Sequence, residues 1–221
     1  MNILNELIKL NSEYDKLQNK YGAKELDSIY NGGCIKNPDI CFVFMNPPGR
    51  NVASLKSWKG RKSPWIGTKN IWRLFYDTGL FGIDVYNQIR DKKPKDWDYI
   101  FSDVVYEEVA KNKYFITNLG KCTQLDARPL SDSILSSYKK LLFKEIDIIK
   151  PKIIISFGNQ VSSIMLDKKI SVSECRKKYF DLKVGNIIYK VFPVYYPIGN
   201  GIFNIDKSIE DINWIKENYL K

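Results

Sequence analysis

Four stretches of near-continuous apolar residues punctuate the chain: "ICFVFM" (40–45), "KYFITNL" (113–119), "KIIISFG" (152–158) and "YKVFPVYY" (189–196). Runs of β-branched and aromatic residues without polar alternation are the mark of strands buried on both faces of a parallel sheet. Between them the apolar period changes to that of a helix. "TKNIWRLFYDTGLF" (68–81) opens on Thr68 as a candidate N-cap, places Ile71, Leu74 and Phe75 on one face, and meets Gly79 near its end. "SDSILSSYKKLLFKEIDIIKP" (131–151) opens on a Ser or Asp cap, carries Leu135, Leu142 and Ile146 at helical spacing, and is halted by Pro151. Residues 2–20 predict an amphipathic helix, and "NQVSSIMLDK" and "DKSIEDINWIKENYLK" two more.

Strands alternating with helices predict an α/β protein, a three-layer α/β/α sandwich around a central four-stranded, mostly parallel sheet. No repeat, low-complexity tract or linker divides the 221 residues, so one domain over 1–221 is expected. Residues 82–112, rich in Lys, Asp and Trp, read as a surface insertion.

In such sheets ligands bind beyond the carboxyl ends of the strands. The chemistry-bearing residues fall there: Asn46-Pro47-Pro48-Gly49, then Asn118 with Gly120-Lys121-Cys122, then Gly158-Asn159, then Tyr196-Pro197 with Gly199-Asn200-Gly201. A strand ending in Asn-Pro-Pro-Gly is stiff, because each proline fixes φ. Asn before Pro also serves as an ordinary turn-former.

Charge narrows the partners. Thirty-five Lys and Arg against 25 Asp and Glu give a formal +10, and nucleic acid is the commonest polyanion an intracellular protein meets. The segment "SLKSWKGRKSPW" interleaves Lys56, Lys59, Arg61 and Lys62 with Trp58 and Trp65, a pattern suited to phosphate and base contacts. A solvated loop would read the same way. The chain has no histidine, which removes the usual general base and the Ser-His and Cys-His pairs. Its four cysteines, Cys34, Cys41, Cys122 and Cys175, have neither CxxC pairing nor zinc-like spacing, so reduced thiols are expected. The amino terminus carries acids among its apolar residues and the longest apolar run is too short for a bilayer, so the expected location is cytoplasmic and nucleoid-associated.

The ordered set of motifs resembles the uracil-DNA glycosylase superfamily over about residues 33–203. "FVFMNPPGR" is similar to the family's first motif, a strand ending in a water-positioning polar residue followed by Pro-Gly. "SPWIGTKNIWRLF" resembles the segment whose aromatic residue, here Trp65, stacks on the extruded base. "YFITNLGKC" resembles the strand whose terminal Asn, here Asn118, reads the pyrimidine edge. "IIKPKIIISFGNQVSSIML" is similar to the shared strand-Gly-helix unit, and "VFPVYYPIGNG" lies where a His-Pro or Met-Pro loop wedges into the duplex.

The resemblance implies a monofunctional DNA glycosylase that hydrolyses the N-glycosidic bond of a flipped pyrimidine, uracil foremost, in single- or double-stranded DNA. A glycosylase specialised for a modified pyrimidine, such as a hypermodified cytosine of phage DNA, and a catalytically inactive DNA-binding relative remain as alternatives. The implied roles are catalysis for Asn46 and Tyr196, base binding for Asn118, Trp65, Pro48 and Gly49, and DNA contact for Lys56, Lys59, Arg61, Lys62, Lys121, Ile198, Gly199 and Asn200, with Ile198 as the apolar wedge. Two departures accompany it. Tyr196 stands where most branches carry His, and Asn46 occupies the place of a Glu in the branch of most similar layout. That branch holds an iron–sulfur cluster on four cysteines; Cys122 matches one, but the amino-terminal pair is missing and Ser136 and Ser137 lie where the last would fall. No cofactor or metal is therefore expected, and the protein is expected to act on DNA as a monomer, away from membranes.

Overall fold

A computed structural model describes residues 2–47, 51–126 and 129–220. The elements run α1 (Ile3–Tyr21), β1 (Asn31–Gly33), β2 (Ile40–Phe44), α2 (Asn70–Asp77), α3 (Ile83–Asp91), α4 (Tyr99–Lys111), β3 (Tyr114–Asn118), α5 (Asp132–Ile149), β4 (Ile153–Phe157), α6 (Asn159–Leu166), α7 (Val172–Cys175), β5 (Phe180–Val184), β6 (Ile187–Val194) and α8 (Ile205–Tyr219). Short 3-10 turns lie between them, including Gly199–Asn204 ahead of α8.

The expected strands form the centre of the sheet. Its order is β1-β3-β2-β4-β6-β5, and β3, β2, β4 and β6 pair in parallel. The sheet has six strands among the described residues rather than four, because antiparallel β1 and β5 are added at the two edges. Strands β2, β3 and β4 are buried along their whole length, which is why they read as unbroken apolar runs. One face packs against α1, α5 and α6 through Tyr14, Tyr138, Leu142, Val161 and Met165. The other packs against α2, α3, α4 and α8 through Phe75, Ile89, Val105 and Ile212. This is the three-layer sandwich expected.

Residues 82–112 are not a surface insertion. They form α3 and α4, and Trp97, Phe101, Val105, Tyr106 and Val109 lie in the same core as the sheet. The spacing of Phe101, Val105 and Val109 puts one apolar stripe on the sheet side. Thr68 does not cap α2 either. Its hydroxyl donates to the Trp65 carbonyl at 2.7 Å, and α2 begins two residues later without a side-chain cap. Ser131 does cap α5, accepting from the Ile134 N–H. Among the described residues no helix is long and apolar enough to cross a membrane.

Candidate active site at the carboxyl ends of the strands

The ends of β2, β4 and β6 open into one cavity of about 530 Å³. Asn46 lines it from the end of β2, Phe157 and Gly158 from β4, Asn159 and Gln160 from the start of α6, and Tyr196, Ile198, Gly199 and Gly201 from the segment after β6. Trp65 forms a further wall. None of the described lining residues carries a charge. A volume in this range accommodates a nucleobase and part of its sugar.

Local chemistry explains the shape. Trp65 has φ +67°, a left-handed conformation uncommon for a bulky residue, and Gly67 follows at φ +82°. The Tyr106 hydroxyl donates to the Pro64 carbonyl at 2.5 Å and Thr68 N–H to the Trp65 carbonyl at 3.1 Å, so the turn is held from both sides. The indole stands edge-on to Phe44, with ring centroids 5.0 Å apart, and its Nε1–H has no partner. On the opposite side, a Cβ on Gly201 would lie 1.9 Å from the Tyr196 carbonyl oxygen. Only glycine lets that loop fold back on the tyrosine. The Tyr196 phenol makes no hydrogen bond among the described residues, and its burial holds the pKa above the ordinary tyrosine value.

Asn118 is the last residue of β3 and is fully buried. Its Cα pairs with that of Phe44, so the two side chains share a face of the sheet. Phe44 on that face touches Trp65, Phe157 and Tyr196, all of which line the cavity. The carboxamide thus shares the sheet face that Phe44 presents to the cavity-lining rings, but it does not itself line the cavity. Neither its Oδ1 nor its Nδ2 has a hydrogen-bond partner. The pairing of β3 with β2 continues past both strands, with Leu119 N–H on the Phe44 carbonyl at 2.7 Å and Gly120 N–H on the Met45 carbonyl at 2.8 Å.

Other expected residues fall differently. Pro48 and Gly49 lie outside the described residues, as does the side chain of Asn200. Lys121 is no phosphate contact: it is fully buried on the opposite face, 3.0 Å from Glu145 of α5, with Thr117 also accepting from it. Arg61 is bound to Asp103 at 2.7 Å and Lys62 to Asp27 at 2.8 Å, whereas Lys56 and Lys59 are exposed. Ile198 is half-buried against the core rather than projecting. The projecting residue is Phe203, 90% exposed, two positions beyond Gly201 in the same 3-10 turn. Sequence reasoning missed it because an aromatic next to an apolar run reads as core.

The cysteines do not fit an iron–sulfur cluster. Cys122 is buried in the same apolar cluster as Tyr14 and Tyr138, whose rings stack 6.3 Å apart at 17°. All four thiols are free, and among the described residues no three His, Cys, Asp or Glu side chains are placed to hold a metal ion.

The sequence is similar to those of known proteins. Over 117 residues the chain is 32% identical to a type-4 uracil-DNA glycosylase of Saccharolobus solfataricus, covering 49% of this chain and 53% of that protein. Over 91 residues it is 30% identical to a type-4 uracil-DNA glycosylase of Sulfurisphaera tokodaii, covering 39% and 41%. The chain spans about half the length, or less, of these curated relatives. The family model described as the uracil DNA glycosylase superfamily matches residues 31–200, which run from the first residue of β1 to the loop that carries Tyr196. With that match covering most of the sequence, the chain belongs to the uracil-DNA glycosylase superfamily.

Proposed function

We propose that this protein is a DNA glycosylase that hydrolyses the N-glycosidic bond of an extruded pyrimidine, with uracil the leading substrate. The observation that carries the reading is the cavity of about 530 Å³ at the strand ends, which Asn46, Trp65 and Tyr196 line together.

A base in a duplex hides its glycosidic carbon, so the nucleotide must first leave the stack at a cost of a few kcal/mol. Stacking against Trp65 offsets part of this, on the order of 1–3 kcal/mol per base. Phe203, exposed two positions beyond the cavity-lining Gly201, is a candidate to fill the vacated space in the helix. Lys56 and Lys59 are free to meet phosphates, while Arg61 and Lys62 act first as ties within the protein.

In the chemical step a water oxygen bonds to C1′ as the C1′–N bond breaks, and the electron pair leaves with the pyrimidine. The water's proton passes to solvent or to the departing base. Asn46, lining the cavity with a carboxamide that no described residue engages, holds that water with its oxygen. The Tyr196 phenol, kept protonated by burial, can donate to the base O2 as charge gathers there. An amide is a weak general base, so turnover is expected to be slow.

The test is alkali-revealed strand cleavage of oligonucleotides that carry one uracil, one mismatched thymine or one modified cytosine. Cleavage that Asn46→Ala abolishes supports the reading. No base released from any substrate, with salt-sensitive DNA binding retained, would instead favour a DNA-binding protein that has lost catalysis.

A further inference from the structure

Outside the cleft, apolar and aromatic side chains are exposed beside the basic segment that precedes Trp65. Tyr99 and Ile100, at the start of α4, are 56% and 61% exposed, and Leu55 is 43% exposed. Tyr99 meets the segment at Gly60, where a Cβ would stand 2.8 Å from the Tyr99 Cβ and 2.9 Å from the Trp58 Nε1. Trp58 is half-buried, and its Nε1–H donates to the Arg61 carbonyl at 3.1 Å. Further along α4, Asp103 holds Arg61 at 2.7 Å, and the Tyr106 ring centre lies 5.1 Å from the guanidinium carbon. Residues 99, 103 and 106 therefore form the stripe of α4 that faces the segment, at the spacing of one helix side.

Charge says what this surface fits. Between residues 51 and 76 the chain carries Lys56, Lys59, Arg61, Lys62, Lys69 and Arg73 and no Asp or Glu. The acids near Tyr99 in sequence are each engaged. Asp96 accepts from the Lys93 N–H at 3.2 Å, Asp98 caps α4 by accepting from the Phe101 N–H at 2.7 Å, and Asp103 binds Arg61. An exposed ring among free lysines is how proteins hold unpaired nucleic acid: a base stacks on the ring while the cations meet the backbone. In a duplex each base face is covered by its neighbours, so the ring has nothing to stack on. The segment runs on into Trp65, a wall of the cleft. Seven residues separate Trp65 from Trp58, at most about 25 Å of chain, so one strand of about 4–16 nucleotides can reach both.

We propose that Trp58, Tyr99 and the free Lys56 and Lys59 form a platform for unpaired DNA beside the extruded nucleotide, with one flanking base stacked on Tyr99. The platform raises affinity for single-stranded over duplex DNA. This rests on the glycosylase reading above for the nucleotide that enters the cleft, and it adds the form of DNA preferred. Gly60 makes the platform possible, because a side chain there would push the segment away from Tyr99. Ile100 and Leu55 extend the apolar surface around the ring. An acidic stretch of another protein would also meet the lysines, but the basic run is continuous with a wall of the cleft, and that favours nucleic acid.

The experiment measures fluorescence anisotropy of labelled 15-mers of the four ordinary bases, single-stranded or annealed to a complement, titrated with the full chain. No step depends on base release. Tyr99→Ala is expected to weaken the single strand by at least about 5-fold and the duplex by less than about twofold. The slope of log affinity against log salt should stay unchanged, because no charge is removed. Retained duplex binding also shows that the variant is folded. Tyr99→Phe, which keeps the ring, is expected to bind both DNAs as the wild type does. A single-strand loss below about 5-fold for Tyr99→Ala, the result a surface for another protein would give, overturns the inference, and so does an equal loss on the duplex. A working platform with no uracil released from any oligonucleotide would remove the catalytic reading alone. Uracil release with Tyr99→Ala binding unchanged would remove the platform alone.

Discussion

Removing the Lys121 ammonium is expected to be among the most damaging single changes away from the core aromatics. Lys121 and Glu145 are both fully buried and 3.0 Å apart. The carboxylate also accepts from Asn31 Nδ2 at 2.6 Å and Thr117 Oγ1 at 2.8 Å, and the ammonium lies 5.1 Å from the centre of the Tyr14 ring. Lys121→Ala strands a carboxylate in the interior with two neutral donors, a loss of about 3–5 kcal/mol. At roughly 2–4 °C per kcal/mol for a chain of this size, Tm falls by about 6–20 °C. Urea denaturation should give the same loss with an unchanged slope. Burial lowers the Lys121 pKa and Glu145 pulls it back up, so Glu145→Gln lowers it further. A lysine with a folded pKa below its unfolded value binds fewer protons folded than unfolded, so stability rises with pH through that window. The Glu145→Gln deficit should therefore shrink between about pH 7 and about pH 9.5, more steeply than any change in the wild type. A Tm loss below about 3 °C for Lys121→Ala, the size of a solvent-exposed pair, would refute the reasoning.

Other outcomes follow from the cleft and its rim. Asn46→Asp places a true general base at the water position and should raise uracil release by about 10²-fold or more; an unchanged or lower rate in a folded variant removes Asn46 from that role. Phe203→Ser should lower release from duplex DNA at least about 10-fold while leaving single-stranded substrate within about twofold, read as the ratio of the two rates. Lys56→Ala and Lys59→Ala should each flatten the plot of log affinity against log salt by about one unit, in filter or anisotropy binding. Glu210, bound by Lys177 at 2.5 Å and Arg176 at 2.8 Å, has its carboxyl pulled down to about 2. Its stabilising effect is present above the ordinary carboxylate range and lost as pH falls toward 2, so Glu210→Gln should show a smaller drop in urea midpoint than wild type between about pH 5 and about pH 2.5.

The central strands were legible because burial on both faces leaves no polar alternation to disguise them, as in Ile153–Phe157. The edges were not. Asn31–Gly33 has no apolar side chain, and its place is set by pairing to Phe115–Thr117, a contact that no local pattern encodes. In α4 the stripe of Phe101, Val105 and Val109 was present but diluted by the surrounding charges. At the site, Asn46, Trp65 and Tyr196 were legible as strand-end and turn residues, and they do meet at one cavity. Lys121 was misread because its partner lies 24 residues away on α5, and only the packing of that helix turns a surface residue type into a buried one. Phe203 went unseen for the opposite reason, since hydrophobicity signals burial and not projection.

Gly120 ties the ends of β2 and β3 together. A methyl group there would lie 2.9 Å from Leu135, 3.3 Å from Leu130 and 3.5 Å from the Asn46 Cβ. Its N–H is bonded to the Met45 carbonyl, next to Asn46, and it lies two residues beyond Asn118. A larger residue would press on the first asparagine while dragging the strand end that bears the second. Tolerance at position 120 is therefore a gauge of how finely the spacing between the two amides must be kept. Among variants that fold, Gly120→Ala should erode base release before it erodes thermal stability.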